Sequence, residues 1–124
     1  MEAKEFIRTV AERSALSREE AADLTRATLS TLADRLSAGV TRHLALQLPE
    51  PLTESLGTRT AAAGKFGLDE FIRRVSEHTG LTVRETTDGV RAVFTTLHET
   101  LGDEQFDHAM AQLPDEFRDM AELS

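Results

Sequence analysis

Apolar residues recur along this chain at three- and four-residue spacings, the period of an amphipathic helix, and no run of alternating β-branched residues occurs. Phe6, Ile7 and Val10 form a short apolar face, and Leu68, Phe71, Ile72 and Val75 form another. Asp69 is placed to cap the second of these helices and Gly80 to stop it. Ser17 and Glu20 open the next element as a capping box, in which side chain and backbone satisfy each other's orphan groups, and Thr82 with Glu85 repeats the device. Leu29, Leu32 and Leu36 then share one stripe, as do Val90, Phe94, Leu97 and Leu101. Gly39 and Gly102 mark the breaks after these long helices. A third helix carries Val40, Leu44 and Leu48, or Phe106, Met110 and Leu113, and ends at Pro49 or Pro114, because the residue before proline disfavours helical dihedrals. A short fourth helix runs through Leu52 and Leu56, or through Phe117 and Met120.

The elements come in pairs because the chain repeats itself. Residues 5–57 align on residues 70–122 without a gap when 65 is added. Phe6-Ile7-Arg8 then matches Phe71-Ile72-Arg73, Asp23, Arg26 and Ala27 match Asp88, Arg91 and Ala92, and Gln47-Leu48-Pro49 matches Gln112-Leu113-Pro114. Such self-similarity marks a duplicated supersecondary unit. The expected fold is all-α: two tandem, pseudo-twofold-related units of about four helices each, packed as one compact helical bundle. Residues 1–124 form a single domain, with repeat 1 at about 5–57, a linker at 58–67 and repeat 2 at about 68–122. Units of about fifty residues are marginal alone, so the two should share a core. Phe66 is the candidate anchor of the glycine-rich linker.

Composition narrows the function classes. The net charge is −8, and all basic residues but Lys4 and Lys65 are arginine. Nucleic-acid affinity rests on neutralising phosphates, so this balance speaks against a DNA or RNA partner. With no cysteine, disulfides, zinc thiolates and a cysteine nucleophile are excluded. The charged start, Met1 to Glu5, is not followed by the apolar stretch of a signal peptide, and no run approaches a membrane span. The expectation is a cytoplasmic protein with no membrane partner.

Catalytic templates are missing: no Gly-x-Ser-x-Gly, no phosphate-cradling glycine loop, no His-Glu-x-x-His. His98, Glu99, Asp103, Glu104, Asp107 and His108 are rich in titratable groups but straddle Gly102, where helix ends collect such residues for capping. His43 with Gln47, and His108 with Gln112, are equivalent pairs four residues apart on one helix face. A twofold arrangement would gather them as a polar seam or a weak metal site; otherwise both pairs are simply exposed. No carboxylate stands at His-x-x-Glu or Glu-x-x-His spacing, which speaks against a metal, and no cofactor is expected. Arg8–Glu12 and Arg73–Glu77 read as solvated surface pairs. Asp23–Arg26 and Asp88–Arg91 are either the same or a buried network pinning the two copies together.

Ala27, Ser30 and Thr31 lie opposite the leucine stripe, as do Ala92, Thr95 and Thr96. Such a strip is either a contact surface, where helix backbones or a partner approach closely, or an ordinary exposed face.

The repeated pattern, Phe with Val four residues on, a capped long helix ending in Leu-x-x-x-Leu and then Gln-Leu-Pro, resembles the bacterial family known as domain of unknown function 2267, whose members carry such a unit twice. The resemblance runs from Glu5 to about Met120, on Phe6, Val10, Leu16, Ala27, Leu32, Leu36 and Gln47-Leu48-Pro49 and their counterparts. It implies the helical fold and brings no activity or functional residue. The chain departs from its own repeat where Gly89 stands in place of Leu24, and a mid-helix glycine hints at close packing.

The residues favour a non-catalytic helical module for protein interaction or self-association, its partner a protein or a second copy of the chain. The alternative is a small-molecule or ion-binding bundle with an apolar cavity into which His43, Gln47, His108 and Gln112 converge; an enzyme ranks third.

Overall fold

The computed structural model describes residues 2–56 and 65–122. Eight α-helices lie among the described residues: α1 (Ala3–Ser14), α2 (Arg18–Arg35), α3 (Ala38–Ala45), α4 (Leu52–Leu56), α5 (Leu68–Thr79), α6 (Val83–Leu101), α7 (Asp103–Met110) and α8 (Asp115–Glu122). Adding 65 to the bounds of α1 and α3 gives those of α5 and α7, so local sequence repeats as local structure.

Both capping boxes form. The Ser17 hydroxyl accepts from the Glu20 amide and the Glu20 carboxylate from the Ser17 amide; Thr82 and Glu85 do the same. The turn before each box is also shared: Ala15 at φ 60° and Gly80 at φ 78° close α1 and α5 in the left-handed region.

Three local expectations are corrected. Asp69 does not cap α5; the cap position is Gly67, and the free Leu68 amide instead donates to the Glu116 carboxylate of α8 at 2.7 Å. The break after α2 falls at Leu36 and Ser37, where the Ser37 hydroxyl caps α3, and Gly39 lies inside α3. Leu48 and Leu113 sit just beyond the ends of α3 and α7, yet both are buried. Most of the expected linker lies outside the described residues. Its Phe66 is anchored as expected: the Arg74 guanidinium lies 3.8 Å from its ring centre, and Arg35 donates to its carbonyl at 2.7 Å.

The core is interleaved. Helices α2 and α6 pack on each other at the centre, and both α1 and α5 pack against both of them. Helix α4 covers α2, while α7 and α8 cover α6. A helix enclosed this way must be apolar or small on most of its circumference. Helix α2 accordingly buries Ala21, Leu24, Leu29 and Leu32, and α6 buries Gly89, Val90, Phe94 and Leu97. One hydrophobic cluster runs through both halves, from Phe6 and Val10 to Phe117 and Met120. Where α2 crosses α6, a β-carbon on Gly89 would overlap the Leu24 side chain, so the missing side chain is the space that Leu24 fills.

Candidate functional site

The small-residue strip is neither a bare surface nor a sealed helix seam. Ala27, Thr31, Ala92, Thr95 and Thr96 are buried and Ser30 half-buried. The Thr31 and Thr96 hydroxyls turn back onto the carbonyls of Ala27 and Ala92, one helical turn earlier, at 2.8 and 2.7 Å. Ala27, Ser30 and Thr31 on α2, and Ala92 and Thr95 on α6, form the floors of two grooves.

The first groove, of about 670 Å³, is bounded by Asp23, Arg26, Ala27 and Ser30 on α2, by His78 at the end of α5, and by Pro51, Leu52, Glu54 and Ser55. It continues along Thr31, Asp34, Arg74 and Glu77. The second, of about 590 Å³, is bounded by Asp88, Arg91, Ala92, Thr95 and Glu99 on α6 and by Arg13, Ser14 and Ala15 at the end of α1. Asp23, Arg26, Ala27, Ser30, Asp34 and His78 in one groove stand 65 positions from Asp88, Arg91, Ala92, Thr95, Glu99 and Arg13 in the other.

The rims differ in their charges. Arg26 donates to Asp23 at 2.7 Å, an exposed surface pair and not part of a buried network. In the second groove Asp88 and Arg91 form no such pair, and the Arg91 Nε is buried without a hydrogen-bond partner. Arg13 closes one end of that groove, donating to the Thr96 hydroxyl at 3.1 Å and to the Glu99 carboxylate at 2.7 Å.

The histidine–glutamine pairs occupy another place, between α3 and α7. The rings of His43 and His108 meet edge to face with centroids 5.7 Å apart. Gln105 accepts from His43 Nε2 at 2.9 Å and from Gln47 at 3.1 Å, while Gln112 accepts from the Ser37 amide at 2.9 Å and donates to its hydroxyl at 3.2 Å. Both histidines are exposed, so the seam lies at the surface and the expected apolar cavity is not what they line. Among the described residues no group of three or more His, Asp and Glu side chains is placed to hold a metal.

Most of the titratable residues around Gly102 are taken up by structural pairs. His98 stacks on Phe106 at 4.5 Å and pairs with Asp103 at 2.6 Å, tying the end of α6 to the start of α7. Glu99 goes to Arg13, and Asp107 lies 3.8 Å from Arg118. Arg8–Glu12 and Arg73–Glu77 are exposed pairs, as expected. One carboxylate is electrostatically distinct: hydrogen bonds from Arg73 and then Arg74 hold Glu70 below the ordinary carboxylate value.

Sequence reasoning missed Gln105, Arg13 and His78. Gln105 has no counterpart in the repeat, where Val40 stands, and Arg13 and His78 differ in type at equivalent positions, so a search for identical residues passes over all three. Among the described residues no helix is long and apolar enough to cross a membrane. A comparison with the curated proteins finds no match. The model of the family described as uncharacterized conserved protein (DUF2267) matches residues 3–120, and the chain belongs to that family.

Proposed function

We propose that this protein is a non-catalytic interaction module, two pseudo-twofold-related units whose paired grooves receive a protein partner or a second copy of the chain. Support for the twofold comes from equivalent residues that meet each other. Leu24 faces Gly89, and His43 faces His108, as positions on a twofold axis must. Exchange of the units also carries α1 on α6 into α5 on α2.

The observation that carries the functional reading is that equivalent positions line both grooves. Each groove has a small-residue floor and a charged rim, the arrangement that lets a partner's backbone or short side chains approach while the rim selects charge. Arg91 supplies the polarity: its buried Nε has no hydrogen-bond partner, and an acidic group from a partner would complete it.

Light scattering over a concentration series, on the wild type, Ser30→Trp and Arg91→Glu, tests the reading. Circular dichroism first checks that both variants keep their helices. A wild-type mass that climbs from 13.7 kDa with concentration, and a monomer in the variants, supports self-association through the grooves. A monomeric wild type that captures a foreign protein, with capture lost in the variants, supports a partner. Association that is unchanged in both folded variants, or absent altogether, overturns it.

A further inference from the structure

We infer that His43 and His108 form a binding site for a divalent transition-metal ion of the zinc class, bridging α3 to α7 and so one half of the chain to the other. The inference concerns the α3–α7 seam and does not depend on the groove reading. Geometry carries it. Two imidazoles sharing a tetrahedral ion through bonds of about 2.0–2.1 Å place their ring centres about 5 Å apart. The observed separation is 5.7 Å, close to that spacing, so the two rings are near enough to share an ion once their nitrogens turn toward it. Both side chains are exposed, and an ion reaches them without opening the core.

A second observation sets the protonation of one ring. The Gln105 side-chain carbonyl accepts from His43 Nε2 at 2.9 Å, and a carbonyl oxygen cannot donate. In the neutral ring this bond puts the proton on Nε2 and leaves the Nδ1 lone pair for a metal. Gln47 donates to the same oxygen at 3.1 Å and holds the Gln105 amide in that orientation. This is the outer-shell support that metal-bound histidines ordinarily have.

Spacing within a single helix, which speaks against a metal, does not decide here, because the two nitrogens come from different helices and need no His-x-x-Glu partner. With two protein ligands the remaining positions belong to water, and imidazole nitrogen favours zinc, nickel and copper over magnesium or calcium.

The test is a titration of the full chain with zinc chloride, read by imidazole nitrogen NMR and by thermal melting. The expected result is saturable binding of one ion that moves the ring resonances of His43 and His108 together and leaves those of His78 and His98 in place. Melting temperature should rise with zinc, since an ion that binds only the folded chain stabilises it. His43→Ala and His108→Ala should each abolish saturable binding, His98→Ala should leave it intact, and Gln105→Ala should weaken it roughly tenfold. All of these sites are at or near the surface, and the metal-free melting temperature of each variant reports whether it folds. Zinc that shifts His98 instead, binding that survives loss of either seam histidine, or no response at millimolar zinc overturns the inference.

Discussion

Gly89 shows how one residue reconciles a duplicated sequence with a shared core. Two identical side chains at this crossing would compete for one space; Leu24 fills it and Gly89 yields it. Gly89→Ala gains about 1 kcal/mol of helix propensity and loses about 1–3 kcal/mol to overpacking, so a net loss is expected from denaturant midpoints. Leu24→Ala should cost about 2–5 kcal/mol. The double variant should lose less than the sum, because the new methyl enters the space the leucine leaves. Additive losses would show that the two residues do not share that space. Ala15 gives the opposite sign. Its left-handed backbone is the one Gly80 adopts at the equivalent place, and a β-carbon there is strained. Ala15→Gly should stabilise by roughly 0.5–1 kcal/mol, read as a higher melting temperature. Glu70 adds a pH dependence. Its folded value lies below the ordinary 4.5 because Arg73 and Arg74 donate to it. Its contribution is therefore complete above 4.5 and is lost as pH falls through the lower folded value. Glu70→Gln should be less stable than the wild type near neutral pH and match it in strong acid, checked by urea unfolding across pH.

Helix by helix, the chain is legible where the decisive interaction is local. The capping boxes could be read because Ser17 and Thr82 find their partners three residues on, and the stripes because period alone sets them. Asp69 and Gly39 misled for a common reason. Each is of a type that ends or begins helices, yet tertiary hydrogen bonds and a neighbouring serine took the role. The cap of α5 is Glu116, forty-eight residues away along the chain, and nothing in the spacing announces it. Glu116→Ala should therefore destabilise the protein by about 0.5–2 kcal/mol, as loss of a cap does. Asp69→Ala should cost at most the few tenths that a charge in the first turn supplies. A denaturation series comparing the two would reverse this ranking if the sequence-based cap were correct.

At the scale of the molecule, the repeat announced two units but not how they exchange contacts. The small-residue strip read equally well as an interface or an idle face, because part of each groove's wall comes from the opposite half: His78 of α5 beside α2, and Arg13 and Ser14 of α1 beside α6. The histidine seam could be named from the repeat, but not its Gln105, because the two rings arrive from α3 and α7 and Gln105 has no repeat counterpart. Interleaving of this kind has a consequence for folding. Removing the second half strips α2 of α5 and α6 and exposes the buried faces of Leu24, Leu29 and Leu32. A unit of about fifty residues buries too little surface to bear that loss. Residues 1–60 and 61–124, produced as separate peptides, should each show weak helicity and no cooperative melt. Mixed in equal amounts they should regain the helical signal of the intact chain, with a midpoint that rises with concentration as for any bimolecular fold. Removing the covalent connection costs only the entropy of bringing the halves together, which concentration restores. Two peptides that melt cooperatively on their own would mean that each unit holds its own core, and that the contacts of α1 with α6 and α5 with α2 are an interface between independent domains.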